Sequence, residues 1–105
     1  MTTETHLKIL KKIESNSHIS QRKLAEELGV SVGKVNYCVK ALIDKGFMKA
    51  GNFKRNPDKM AYLYLLTPQG IEEKAILTAS FLKRKIAEHE KITQEIEQLK
   101  SDSFE

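Results

Sequence analysis

The sequence has one cysteine, no tryptophan and only two prolines among its 105 residues. A lone cysteine, Cys38, excludes an intramolecular disulfide and fits a reducing compartment. Aromatic residues are few, with four Phe and three Tyr, so we expect a mainly aliphatic core. No apolar run approaches the roughly 18 residues that a membrane span needs, and no signal segment opens the chain. These absences predict a cytoplasmic protein of single-domain size.

The motifs of common catalytic sites are also missing. The sequence has no Gly-rich phosphate loop, no nucleophile elbow and no carboxylate pair in an evident cleft. His6, His18 and His89 lie far apart and lack the spacing of a metal site. We therefore expect no enzymatic activity, no cofactor and no bound metal.

Positive charge is concentrated in the middle third of the chain. Residues 31–60 hold seven Lys or Arg against two Asp, although the net charge of the whole chain is only +4. The first 30 residues hold five basic and four acidic side chains, and residues 61–105 hold six and eight. Because a polyanion attracts clustered cations, this segregation favours a nucleic-acid partner.

Three helices are predicted in the first half of the chain. Apolar residues recur every three positions near residues 4–16, which predicts the first helix. Ser20 can cap a second helix that ends at Gly29, and Ser31 can cap a third that ends at Gly46. The short GVS connection between the second and third helices is typical of a helix-turn-helix.

The third helix has two unlike faces. At about 100° per residue, its apolar face holds Val35, Cys38, Val39, Leu42 and Ile43. The opposite face holds Gly33, Asn36, Tyr37, Lys40 and Asp44, with Lys34 at its edge. The major groove of B-DNA admits one α-helix, and this helix has an apolar back to anchor it and an acid-poor front to face DNA.

A β-hairpin with a basic tip follows the third helix. Residues 47–53 and 60–67 are rich in aromatic and aliphatic side chains, and they flank the polar turn KRNPD. Helix, helix-turn-helix and hairpin follow one another in the order of a winged helix. The predicted fold is mainly α with a small β-hairpin (α+β), with a winged helix-turn-helix DNA-binding domain over residues 1–67 and a long dimerisation helix over residues 68–105.

The last helix is predicted from Pro68, just after the capping Thr67, to about Lys100. At about 45 Å it would be too long to pack along one small domain. Apolar residues recur at nearly heptad spacing in its second half, which favours pairing with a second copy. We call these positions the apolar stripe: Leu82, Ile86, His89, Ile92, Ile96 and Leu99.

The winged-helix order assigns DNA contacts to three places. In the recognition helix, residues 31–45, the Asn36 amide can bridge adenine N6 and N7, and Tyr37 can contact phosphate or a thymine methyl. The amino end of the second helix and the wing, residues 53–60, can contact phosphate or the adjacent minor groove. The candidate contacts are Ser20, Gln21, Arg22, Ser31, Gly33, Lys34, Asn36, Tyr37, Lys40, Lys54, Arg55, Asn56 and Lys59.

Two runs of the sequence carry a family resemblance. SQRKLAEELGVSVGKVNYCVKALIDKGFMKAGNF, followed by YLYLLTPQGIEEKAILTASFLKRKI, resembles the small MarR-type regulators associated with exopolysaccharide gene clusters. The resemblance covers nearly the whole chain, and its most specific parts are LGVSVGKVNYCVKALIDKG and LLTPQGIEEK. It implies a prokaryotic, dimeric, winged-helix regulator of transcription.

The sequence departs from the broader MarR pattern at two points. Most members begin with an extra helix that joins the dimer interface, so here we expect dimerisation to rest on the last helix. The wing of many members reads Asp-Arg-Arg, whereas Asp58 is followed here by Lys59 and Met60. Arg55 or Lys59 is the expected substitute for the wing arginine. A small-molecule effector is compatible with the resemblance, but its pocket is not evident in the sequence.

Two other classes of function stay open at this stage. One is a winged-helix module that binds protein instead of DNA, although such modules usually lose the basic wing and the clean recognition face. The other is a scaffold built on the last helix alone, for which the basic middle third has no purpose. The sequence favours a homodimeric regulator that binds double-stranded DNA.

Overall fold

The structure is a computed structural model that describes residues 2–56 and 59–104, with side chains for 3–51 and 63–104. Its elements are α1 (Thr2–Ser15), α2 (Gln21–Leu28), α3 (Val32–Asp44), β1 (Met48–Asn56), β2 (Lys59–Leu66) and α4 (Pro68–Ser103). The two strands form an antiparallel hairpin in which Met48 pairs with Leu66. The predicted fold is confirmed: three helices, one hairpin and a long last helix make a winged helix.

Local side-chain chemistry sets the boundaries of the helix-turn-helix. Ser20 and Ser31 cap α2 and α3, since each hydroxyl oxygen accepts a 3.0 Å hydrogen bond from a backbone N–H in the first turn. Gly29 ends α2 at φ +67°, in the left-handed region that glycine adopts without steric cost. These caps match the predicted ones, so both helices begin and end where the sequence placed them.

The core lies between the first three helices and the base of the hairpin, and it is aliphatic, as expected. Its buried members are Ile9, Leu10, Ile13, Ile19, Leu24, Ala25, Val35, Cys38, Val39, Leu42, Met48 and Tyr64. Ile43, which was expected on the apolar face of α3, is only partly buried, as is Leu28 of α2. Burial raises the pKa of the Cys38 thiol, against the opposing effect of Lys34, which agrees with a structural role for this cysteine.

The start of α4 is fastened to the end of α3. Thr67 caps α4 by accepting a 3.0 Å hydrogen bond from the Gly70 N–H, and its own hydroxyl donates to the Gly46 carbonyl. A Cβ atom at Gly70 would lie 1.9 Å from the carbonyl oxygen of Phe47. Only glycine therefore allows this close approach, and the sequence LTPQG directs α4 along the domain.

Helix α4 packs on the domain over its first turns and then projects from it. Lys74 forms an ion pair with Glu14 of α1, and Leu77 packs against the core. From residue 82 to residue 104 every side chain is exposed, and the described part of the chain extends over 74 Å. The helix continues past the predicted end near Lys100, since Gln98 and Asp102 are hydrogen-bonded at 3.1 Å within it.

His6 on α1 gives a testable pH dependence of stability. Its side chain is 9% exposed, and its Nε2 has no hydrogen-bond partner among the described residues. Burial, and secondarily the charge of Lys45, lowers its pKa below 6.5, against the opposing effect of Glu73. The unfolded chain therefore binds a proton first as the pH falls, so folding stability should decrease below about pH 6.5.

We expect His6→Leu to remove this part of the pH dependence. The free energy of unfolding, measured by urea titration at about pH 5.5 and about pH 7.5, should differ less between the two conditions than in wild type. An unchanged difference in His6→Leu would contradict the assignment.

Candidate nucleic-acid interface

The outward face of α3 is exposed to solvent. Asn36, Tyr37 and Lys40 are all exposed, Tyr37 at 68%. Gly33 and Lys34, one turn earlier, are exposed as well. The inward side of the same helix is buried at Val35, Cys38, Val39 and Leu42. The sequence pattern thus produces the anchored helix with an open polar and basic front that was predicted.

The amino ends of α2 and α3 carry cations where a helix usually prefers acids. Neither helix has an acidic residue in its first turn. Arg22 and Lys23 follow Gln21 in the first turn of α2, and Lys34 lies in the first turn of α3. A cation beside the positive end of the helix dipole costs roughly 0.3–1 kcal/mol. An anion docked at both ends would reverse that cost, as expected for a phosphate backbone.

The cations of α3 are not neutralised by the protein's own carboxylates. Five lysines elsewhere lie in ion pairs: Lys8, Lys12, Lys23, Lys74 and Lys85. In the part of the chain whose side chains are described, Lys34 and Lys40 have no such partner. Their charge is therefore available to an external anion.

A chain of hydrogen bonds crosses from the hairpin to the recognition helix. The Gln21 Nε2 donates to the Tyr64 hydroxyl oxygen at 3.2 Å. The Asn36 Nδ2 donates to the Gln21 Oε1, also at 3.2 Å. Ser20, Gln21, Asn36 and Tyr64 together line a cleft of about 450 Å³. Gln21 was predicted as a phosphate contact. In the structure its Nε2 and its Oε1 are both hydrogen-bonded to other side chains of the protein.

The wing is described as backbone only. Strands β1 and β2 pair up to Asn56 and Lys59, with an irregularity in register between Lys54 and Asn56. The side chains of Lys54, Arg55, Asn56 and Lys59 lie outside the described residues, as does Asp58 entirely. Which of them takes the role of the wing arginine stays a prediction.

The apolar stripe of α4 is fully exposed on the single chain. Its aliphatic members are Leu82, Ile86, Ile92, Ile96 and Leu99, between 46% and 67% exposed. Large apolar side chains aligned on a helix that projects from its domain are typical of an interface with another chain. His89, the polar member, is exposed in the same row.

Sequence analysis missed residues at both surfaces. Val32, 46% exposed at the start of α3, adds an apolar group beside Gly33. Its position outside the predicted apolar face of the helix was a signal that it would be exposed. Ile71, 53% exposed, continues the apolar stripe toward the domain, since the spacing 71, 75, 78, 82 keeps one side of the helix. Tyr64 had no local signal, because it reaches Gln21 across 43 positions of sequence.

No described helix is both long and apolar enough to span a bilayer. Among the residues with described side chains, no group of three His, Cys, Asp or Glu residues is placed to hold a metal ion.

Comparison with known proteins supports the assignment of the first three helices. Residues 2–47 match the family described as winged helix-turn-helix DNA-binding. No curated protein sequence is significantly similar to this chain. Several solved structures of regulators share the fold, at sequence identities too low to carry function.

Three of these structures illustrate the likeness. MarR of Staphylococcus aureus, in complex with salicylate and kanamycin, has a TM-score of 0.58 at 20% identity over 82% of this chain and 56% of that one. PcaV of Streptomyces coelicolor, a transcriptional regulator, has 0.67 at 14% identity over 94% and 76%. A MarR/EmrR family regulator of Acinetobacter has 0.60 at 23% identity over 93% and 73%.

The chain thus spans little more than half of the S. aureus protein and about three quarters of the other two. The common part comprises the winged helix and a long last helix. The likeness therefore establishes architecture alone, and the family model covers the first three helices. Residues 2–47 match a winged helix-turn-helix DNA-binding model, and the chain shares its fold with the MarR-type regulator structures.

Proposed function

We propose that this protein regulates transcription by binding a specific DNA sequence as a homodimer. In this proposal α3 enters the major groove and the wing, residues 53–60, contacts the backbone or the adjacent minor groove. The observation that carries the proposal is the exposed face of α3, which is basic and free of acid in its first turn. Among the residues with described side chains, Lys34 and Lys40 are absent from the ion pairs. Such a face complements a phosphate-lined groove.

The dimer is supported by the exposed apolar stripe. A single chain leaves the five aliphatic side chains of the apolar stripe in water. Two copies of α4 packed along this stripe would bury them, and the near-heptad spacing suits helix pairing. A two-fold dimer would place its recognition helices in successive major grooves, roughly 10 base pairs apart, on a near-palindromic site.

The resemblance to small regulators associated with exopolysaccharide gene clusters supports a narrower assignment. It rests on the runs LGVSVGKVNYCVKALIDKG and LLTPQGIEEK. The second run contains the Thr67 cap and Gly70, whose close contact with Phe47 directs α4. We propose that the protein belongs to this group and controls genes of that kind.

Two α3 variants should separate base recognition from phosphate contact. Asn36→Ala should relax preference at one base position, costing about 1–3 kcal/mol of discrimination there. Lys40→Ala should instead weaken binding to all sequences and flatten the dependence of affinity on salt. The measurement is selection of bound sites from a random DNA pool, followed by gel shifts at about 50 mM and about 200 mM salt.

The same measurement tests the proposal against a protein-binding module. Wild-type protein should retard duplex DNA in a salt-dependent way and enrich a two-fold site. Failure to bind any duplex at the lower salt concentration would reject DNA binding and favour a protein partner. An Asn36→Ala variant with an unchanged preferred sequence would reject only the role assigned to Asn36.

A further inference from the structure

The amide of Asn36 is held by a partner inside the protein, although its residue is exposed. Its Nδ2 donates one N–H to Gln21 Oε1. A carboxamide has two N–H groups and one carbonyl oxygen. The two-point contact to adenine needs one N–H for N7 and the oxygen for N6. With one N–H donated to Gln21, Asn36 keeps its second N–H and its carbonyl oxygen, which are the two kinds of group that this contact needs.

Gln21 in turn is fixed by the domain. It is the first residue of α2, half-buried, and its Nε2 donates to the Tyr64 hydroxyl at 3.2 Å. Tyr64 is 4% exposed within the core, and its backbone N–H donates to the Ser17 carbonyl at 2.9 Å. The hydroxyl that holds Gln21 is thus a rigid point of the hairpin.

With Gln21 oriented as it is in the structure, its Oε1 selects one orientation of the Asn36 amide. A flipped amide would turn its carbonyl oxygen toward Gln21 Oε1, and two acceptors repel each other. An exposed side chain without such a partner would have to lose its rotational freedom when DNA binds. Because Asn36 is already oriented in the free protein, less rotational entropy is lost on binding. Bases that need the flipped amide would be bound less tightly.

We propose that Tyr64 and Gln21 are positioning residues that set the base preference of Asn36. The proposal rests on the function proposed above, because it assigns sequence specificity to the same face of α3. It also gives Gln21 a task other than the phosphate contact predicted from sequence. Because Tyr64 belongs to β2, the strand that forms the wing, the hairpin takes part in base recognition without touching the base.

Tyr64→Phe and Gln21→Met test the proposal, since each removes hydrogen bonding while nearly keeping shape. Relative affinities are measured for the selected site and for sites substituted at each base position. Both variants should lose about 3- to 10-fold of discrimination at the position read by Asn36. For Tyr64→Phe, preference at other positions, affinity for random-sequence duplex and the salt dependence should stay as in wild type. Gln94→Met, at an exposed position of α4, is the matched control and should change none of them.

A double-mutant cycle separates positioning from a general structural effect. In an Asn36→Ala background, Tyr64→Phe should cause no further loss of discrimination, because its effect passes through Asn36. Additive losses, equal losses at all positions, or unchanged discrimination in both single variants would overturn the proposal. If wild-type protein selects no sequence at all, the proposed function is wrong and this inference fails with it.

Discussion

Lys34→Glu is expected to weaken DNA binding at least about 100-fold at low salt while making the folded protein more stable. Lys34 occupies the third position of α3, one turn after the capping Ser31. Glutamate at this position completes a capping box, because its carboxylate can accept from the Ser31 backbone N–H. It also favours the positive end of the helix dipole, so the free energy of unfolding should rise by about 0.5–1 kcal/mol.

Lys34→Glu should change DNA affinity and folding stability in opposite directions because residue 34 has different surroundings in the free protein and on DNA. In the isolated protein the first turn of α3 lies in water, where an acid is favoured over a cation. On DNA the same turn would face phosphate, so each copy of the variant replaces an attraction with a repulsion. For a dimer, the slope of log affinity against log salt concentration should decrease by the equivalent of about two phosphate contacts, one for each copy of Lys34. In the proposed complex, the wild-type lysine would thus lower the folding stability of the free protein and strengthen its contact with phosphate.

Two variants make the result specific. Lys91→Glu changes the net charge equally, on the side of α4 opposite the apolar stripe, and should alter affinity much less. Lys34→Gln should give an intermediate loss. Affinity is measured by gel shift at two salt concentrations, and stability by urea titration. If Lys34→Glu bound as wild type does, or if Lys91→Glu matched its loss, α3 would not be the DNA-facing helix.

Local patterns predicted the fold because each element is specified by neighbouring residues. Ser20, Ser31 and Thr67 cap their helices, as expected, and the apolar period fixed which side of α3 is buried. The end of α4 was placed too early, at about Lys100 instead of Ser103. Its last turn is supported within the helix, where Gln98 donates to Asp102 and the Ser103 hydroxyl donates to the Lys100 carbonyl.

Contacts between distant residues could not be predicted in this way. The sequence gives no reason to join Tyr64 to Gln21, because a tyrosine in a strand and a glutamine at a helix start each have local explanations. The close approach of Gly70 to Phe47 likewise depends on how α4 leaves the hairpin. Local patterns therefore predicted each candidate DNA contact separately. The hydrogen bonds that join Asn36, Gln21 and Tyr64 are seen only in the structure.

The division of the chain into two parts stays a prediction. Sequence analysis proposed a boundary at residue 67, where α4 begins. Packing changes later, because Lys74 and Leu77 still contact the domain and only residues from 82 onward are exposed throughout. The proposed dimerisation segment is thus the projecting part of α4, and a variant there should leave the DNA-binding domain folded.

Ile92→Glu is expected to raise the dissociation constant of the proposed dimer at least about 1,000-fold. Ile92 is 53% exposed on the single chain and lies near the middle of the apolar stripe. Its burial in both copies would contribute about 1.5–3 kcal/mol each. Glutamate removes that contribution and places two negative charges in the interface. Because the side chain is exposed in the monomer, the helix content and the urea unfolding of the winged helix should change little.

Loss of the dimer should also be visible on DNA. Two linked recognition helices bind a two-fold site more tightly than one by about 100-fold or more. Ile92→Glu should therefore lose at least that factor on the selected full site while binding a single half-site as the wild type does. Gln94→Glu adds the same charge on the opposite side of α4 and should remain dimeric by analytical ultracentrifugation. A variant that stayed dimeric would place the interface elsewhere, and a monomer that kept full-site affinity would show that DNA binding needs no dimer.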